Sequence, residues 1–316
     1  MSARSDIEPP PGFAIGHWSD ADALTGCTVV IPPDRTRAGV DVRGGGPGTR
    51  ETEILSPTAN AEEATAVLLT GGSAFGLSAA DGVVRWLEEH GRGYATSGGR
   101  VPLVPAAVIY DLVRGRGDVR PGPEQGYAAC ESAREGVPER GRVGVGVGAA
   151  VAKLRGPETA TPGGVGYAAI RLGAGETVAA VAVTNAAGDV LAEDGSLLAG
   201  PRDETGRMLR SAEEIAAMEG PPEWASRAPE GNTTLVCVLT DAALTKAGCG
   251  AVARMASAGI ARAVDPVFSP VDGDVVFCLA SGRGEMRPWA VMSVGAAAGT
   301  ATAAAIRDAI REANPG

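Results

Sequence analysis

The residues whose types and spacing can do chemistry are Gly231-Asn232-Thr233-Thr234, where a charged Gly/Pro-rich stretch (194–231) meets the β pattern of residues 233–240, TTLVCVLT. A threonine hydroxyl that follows a peptide carbonyl can attack it, moving the acyl group from nitrogen to oxygen, after which water frees the ester. Gly231 lets the backbone take up the strain of such a junction. The product is a threonine carrying both its hydroxyl and a free α-amine. That amine has an unperturbed pKa near ~8, so it can act as general base to the neighbouring hydroxyl at neutral pH. Taken alone, the tetrapeptide reads more simply as a loop entering a strand. Asn232-Thr233-Thr234 also matches a glycosylation acceptor, which requires a secretory signal that the N-terminal MSARSDIEPPPGF does not resemble.

Other chemistries fit less well. The only histidines are His17 and His90, and there is no HExxH pair. A histidine metal site or a Ser-His-Asp triad is therefore not expected, and a threonine-plus-amine centre needs no histidine. Val143-Gly144-Val145-Gly146-Val147-Gly148 has GxGxG spacing rather than the GxGxxG of a dinucleotide site. Gly71-Gly72-Ser73-Ala74-Phe75-Gly76 lacks both the GK[ST] of a phosphate loop and the GxSxG of a nucleophile elbow. It reads as a tight strand-to-helix turn.

Composition narrows the class. A net charge of −10 argues against nucleic acid and against an anionic membrane surface. No run of 18 apolar residues occurs, so no membrane span is expected. The five cysteines, Cys27, Cys130, Cys237, Cys249 and Cys278, form no CxxC pair and read as buried free thiols of a cytoplasmic protein. Of 28 basic residues only Lys153 and Lys246 are lysine. Arginine has taken the positions where charge alone suffices, which draws attention to the two that remain.

The elements that must position these residues follow from pattern. Residues 1–19 read as a flexible tail and 20–316 as a single domain. Segment 24–42 gives two strands around Pro32-Pro33-Asp34, and 66–70 a short strand leading through the Gly71-Gly72 turn to a helix ending near Gly91. The Val/Gly alternation of 143–152 predicts a closely packed strand. Segment 177–193 predicts a hairpin turning at Ala187-Gly188-Asp189. A short helix is expected near residues 211–218, then an exposed linker (219–231, EGPPEWASRAPEG), where a chain can be cut without breaking a core. Beyond it come a strand at 233–240, a helix at 245–263, a strand at 274–280 and an Ala-rich helix at 289–313. Strands cluster in the middle with helices outside, too irregularly for a doubly wound sheet.

GNTTLVCVLTDAALTKA at 231–247 resembles the cleavage junction of the self-processing family that includes L-aminopeptidase/D-esterase, the β-peptidyl aminopeptidases and the nylon-oligomer hydrolases. LTGGSAFGLSAADGVVRWLEEHGRG (69–93), VPLVPAAVIYDL (101–112), GVGVGAAVAK (144–153), AVAVTNAAGDV (180–190) and SPVDGDVVF (269–277) follow in the family's order, so the resemblance spans roughly residues 20–310. It implies an α/β fold of four αββα layers, a cut between Asn232 and Thr233, and a nucleophile at Thr233. Lys153 would hold or tune that hydroxyl, as a lysine can where an arginine cannot. Asn185 would point its amide at the developing oxyanion, with Tyr110 donating a second bond. Asp272 and Asp274, alternating through Gly273, would face one side and orient Lys153 and the Thr233 amine.

Aminopeptidase members usually carry a serine nucleophile and Ser-x-Glu where this chain has Asp272-Gly273-Asp274, so the nylon-oligomer branch is the closer likeness. The resemblance implies hydrolysis of small amides (short peptides, β-peptides or ω-amino-acid oligomers), no metal or organic cofactor, and a homo-oligomer of αβ pairs, often a tetramer. An aminopeptidase that demands a free amine, and a non-catalytic oligomeric binding protein of the same fold, stand as alternatives.

Overall fold

The computed structural model of the chain describes residues 2–220 and 231–315. Nine strands form the body: β1 (Ala14–Asp20), β2 (Thr25–Ile31), β3 (Arg37–Val42), β4 (Val67–Thr70), β5 (Ala106–Val108), β6 (Val165–Arg171), β7 (Thr177–Asn185), β8 (Thr233–Thr240) and β9 (Val275–Ala280). One sheet runs β5-β4-β2-β1, lengthened at its edges by Thr49–Arg50 and Arg134–Glu135; the other runs β6-β7-β8-β9-β3. Helices α1 (Ala79–Glu89) and α2 (Pro123–Ser132) cover the first sheet. A short helix α3 (Ser211–Ala217) precedes the junction, and α4 (Lys246–Ala261) and α5 (Ala290–Ala313) cover the second sheet.

Alternation along each strand produces the layering, because successive side chains point to opposite faces. In β7, Val178, Ala180 and Ala182 pack towards α4 and α5, while Ala179, Val181 and Val183 pack against the other sheet. In β8, Val236 and Val238 take the helix side and Leu235, Cys237 and Leu239 the sheet side. In β2, Val30 enters the layer between sheets and Cys27, Val29 and Ile31 meet α1 and α2. Three apolar layers thus join four layers of structure, αββα, as the resemblance implied. Helix α5 is long and apolar enough by composition to cross a membrane, yet it is a core helix here, packed on β6 and β7.

Three expectations need correction. Residues 2–19 are not a loose tail: β1 pairs with β2 along its whole length, and Phe13 is fully buried between the sheets. Arg4 exchanges two backbone bonds with Ala169, and the Tyr167 hydroxyl donates to Ile7 O at 2.8 Å. Two or three apolar anchors suffice to dock a segment whose proline content reads as loose. The two strands expected around Pro32-Pro33-Asp34 are present as β2 and β3, and the turn carries the chain from one sheet to the other. Segment 177–193 is not a hairpin, because β6 and β8 already occupy both edges of β7. The returning strand Asp189–Leu191 pairs instead with Leu197–Ala199 and Val264–Asp265. Segment 143–152 is not one strand: Gly144–Val147 form a 3-10 turn, and within the segment Ala150–Val151 pair as a strand. Gly144 has φ +51°, and a Cβ there would lie 2.3 Å from Thr28 Oγ1, so its glycine serves close approach under β2 rather than a ladder. Most of the expected linker, residues 221–230, lies outside the described residues.

Candidate active site

Strands β7 and β8 run antiparallel with Asn185 opposite Thr233 at the end of the ladder. Directly opposed side chains stand about 4.5–5.5 Å apart at Cβ, so the register alone brings these two together. Both are buried. The Thr233 hydroxyl donates to the carbonyl oxygen of Asn232 at 2.5 Å. The same oxygen accepts the Gly273 N–H at 2.7 Å, and the Asn232 N–H donates to Val271 O at 3.1 Å. Asn232 therefore bridges in parallel to Asp272. The Asn232–Thr233 peptide is gripped by residues 271–273 with a hydroxyl resting on its carbonyl.

Lys153 reaches this point from a short 3-10 turn (Lys153–Arg155) that follows Ala152 in the left-handed region, φ 59°. Its backbone is tied to the 187–188 turn through Ala152 N to Gly188 O and Lys153 N to Ala187 O. The buried ammonium donates to Asn185 Oδ1 at 2.9 Å and to Asn185 O at 3.0 Å. Asn185 Oδ1 also accepts the Ala150 N–H at 3.0 Å. With its oxygen fixed on that side, the amide nitrogen faces the other way, 3.5 Å from Tyr110 O. Tyr110 thus meets Asn185 through its backbone carbonyl, while its side chain lies where a Cβ on Gly231 would touch it at 2.8 Å.

The two aspartates approach from the segment before β9. Asp274 Oδ1 accepts the Thr234 N–H at 2.5 Å, one peptide beyond the junction. Asp272 accepts from Ser269 N at 3.1 Å, from the Ser269 hydroxyl, and from Ala187 N at 3.4 Å. Burial, and then the neighbouring charge of Asp272, push the Asp274 carboxyl up to about 7. A carboxyl poised there can take and return a proton at neutral pH.

All the residues singled out in the sequence, Thr233, Asn232, Lys153, Asn185, Tyr110, Asp272 and Asp274, are brought to one place. Three partners were not foreseen. Asp111 is a buried carboxylate that accepts the Thr25 hydroxyl and the Gly72 N–H, both at 2.7 Å. Burial raises its pKa, and the Lys153 charge is among the effects opposing that rise. Its signal was a lone acid in the apolar run 101–113. Ser269 orients Asp272. Gly273 supplies a backbone N–H, which no side-chain pattern reveals.

The histidines stand elsewhere. His17 is packed against Thr28 at 2.9 Å, with burial lowering its pKa to about 4, and His90 stacks on Trp86. The five cysteines are free and buried.

Four αββα layers thus carry a threonine at the head of a central strand, with its hydroxyl on the preceding carbonyl. The chain belongs to peptidase family S58, which matches residues 6–315. An uncharacterised aminopeptidase of Mycobacterium tuberculosis is 43% identical, over 100% of this chain and 95% of its own length. A 6-aminohexanoate-oligomer endohydrolase of an Agromyces species is 30% identical, over 85% of this chain and 73% of its own. The fold matches a β-aminopeptidase of a Burkholderia species, with TM-score 0.71 and 22% identity over 98% of this chain and 87% of that one. It matches equally the L-aminopeptidase D-Ala-esterase/amidase of Ochrobactrum anthropi, a variant of the Ntn hydrolase fold, with TM-score 0.72 and 17% identity over 96% and 86%.

Two predictions follow from this geometry. Folded Asp274 keeps a proton that the unfolded chain releases above its ordinary 3.8. Its contribution therefore makes stability fall as pH rises from about 4 to about 7 and level off beyond. In a Thr233→Ala background, urea unfolding of Asp274→Asn should lack that component; identical pH slopes with and without the substitution would contradict the raised pKa. Lys153→Arg keeps the charge but replaces a compact ammonium on two Asn185 oxygens with a planar fork. It should lower amide turnover by about 100-fold or more, on the scale of losing one preorganised donor; near-parental turnover would reduce Lys153 to packing.

Proposed function

We propose that the chain is made as an inactive precursor, cuts itself between Asn232 and Thr233, and then hydrolyses small amides with the freed Thr233. The α part (1–232) and β part (233–316) stay associated, held by the β7–β8 ladder that runs across the cut. The observation that carries this reading is the Thr233 hydroxyl 2.5 Å from the Asn232 carbonyl oxygen in a chain of a peptidase family.

In turnover the Thr233 Oγ adds to the substrate carbonyl, the amine leaves with a proton, and water hydrolyses the resulting ester. The Thr233 α-amine moves the protons, with Asp272 and Asp274 beside it. Lys153 and Asn185 fix the polar frame around the nucleophile. Besides water, the steps proposed here draw only on the chain's own residues.

For substrate, we propose short peptides, β-peptides or ω-amino-acid oligomers. The likeness to the 6-aminohexanoate-oligomer endohydrolases, together with threonine as nucleophile and the Asp272/Asp274 pair, supports an amidase that does not insist on a free N-terminus. The 43% likeness to mycobacterial proteins described as aminopeptidases supports the narrower reading.

Mass spectrometry of the β part during turnover of a slow amide should find the acyl group on Thr233, and Thr233→Ala should stay whole and inactive. Parental turnover by Thr233→Ala would remove the nucleophile from the account. One amide offered with free and acetylated amine separates the two substrate readings. Rates within about tenfold, or about 1.4 kcal/mol, support the broad amidase, and abolished turnover of the acetylated form supports the strict aminopeptidase.

A further inference from the structure

The geometry points to the Gly273 backbone N–H as the group that carries the oxyanion during self-cleavage, an inference that rests on the self-cleavage proposed above. When Thr233 Oγ adds to the Asn232 carbonyl carbon, a C–O bond forms and the carbonyl π pair moves onto Asn232 O. Collapse breaks the C–N bond, and the hydroxyl's proton ends on the Thr233 nitrogen. Water then adds to the ester, leaving an Asn232 carboxylate, restoring the Thr233 hydroxyl and passing the remaining proton to the freed Thr233 amine. Charge therefore develops on the oxygen that accepts Gly273 N–H at 2.7 Å and the Thr233 hydroxyl at 2.5 Å. The hydroxyl surrenders its hydrogen in order to attack, so its bond to that oxygen is lost as the charge appears. The Gly273 donor remains, already in place and out of water, where a fixed dipole is worth most.

The placement is enforced from behind. The loop at 43–47 is bonded along the 269–274 segment: Arg43 N to Asp274 O at 2.7 Å, Gly45 N to Ser269 O at 3.2 Å, and Gly46 N to Asp272 O at 2.9 Å. On the front, Asn232 N donates to Val271 O at 3.1 Å. The fit leaves no room for a side chain. A Cβ on Gly273 would lie 2.6 Å from Gly46 O and 3.0 Å from Pro47 Cα, so any other residue pushes the segment away from the loop and moves the N–H off the carbonyl. Glycine at the centre of Asp272-Gly273-Asp274 is thus a requirement of the donor as well as of the spacing between carboxylates.

The test is the rate at which newly made chain cuts itself, followed by intact mass after a pulse of cell-free synthesis. Gly273→Ala should cut about 100-fold or more slowly, the usual loss for one oxyanion donor, while Gly173→Ala, a glycine with open space around it, should cut like the parent. Because alanine at 273 also displaces backbone, the decisive protein replaces the residue with glycolic acid by nonsense suppression, which removes the N–H and adds no atoms. Equal slowing in that amide-to-ester chain, with its thermal unfolding close to the parent's, supports the inference. An ester chain that cuts within about tenfold of the parent, or about 1.4 kcal/mol, overturns it, even if Gly273→Ala is slow. A parent chain that never cuts defeats the self-cleavage reading itself, and this inference with it.

Discussion

The antiparallel register of β7 and β8, which sets Asn185 opposite Thr233, is the constraint on which the site depends. Both strands are buried on both faces, so a slip of one residue would exchange the helix-facing and sheet-facing side chains of each. Val181 and Cys237 belong to the layer between sheets; Ala180 and Val238 belong beneath the helices. Packing of the entire core therefore fixes where the last pair of the ladder falls. Thr233 takes its position from the register, and Lys153 takes its position from Asn185.

A second constraint meets the first at the junction. The Asp272-Gly273-Asp274 segment lies between the glycine loop at 43–47 on one side and Asn232 on the other. Its main chain grips the peptide, and its carboxylates reach the flanking amides at Ala187 and Thr234. Burying three carboxylates and an ammonium together is costly unless each is satisfied. Here Lys153 has two Asn185 oxygens, Asp272 has Ser269, and Asp111 has Thr25 and Gly72. Asp274 absorbs the remaining cost by holding its proton to near neutrality. The same arrangement that stabilises the site leaves one carboxyl able to exchange protons.

Much of this was legible in the sequence because it is local. The start of β8 at Thr233, the strand of β9 and the two long helices follow from periodicity, and the chemistry of a threonine after a carbonyl follows from adjacency. The lysine at 153 stood out because arginine fills nearly every other basic position. What escaped depends on sheet membership. A strand apolar on both faces does not say which sheet it joins, so the switch of sheets between β2 and β3 was invisible. Val/Gly alternation suits a strand and a close-packed turn equally, and only contact with Thr28 decided for the turn. The docking of residues 2–19 rests on a few anchors such as Phe13, and the Gly273 donor belongs to the backbone, where residue type carries little information.

The most direct measurement of the central claim is the intact mass of freshly purified protein under denaturing conditions. For a 31.6 kDa chain of 316 residues, a cut after Asn232 gives pieces of roughly 23 and 8 kDa by proportion, as an N-terminal threonine nucleophile requires. Two such masses, with the smaller beginning at Thr233, are the predicted result. A single 31.6 kDa mass that persists on incubation while the protein turns over amides would contradict the account.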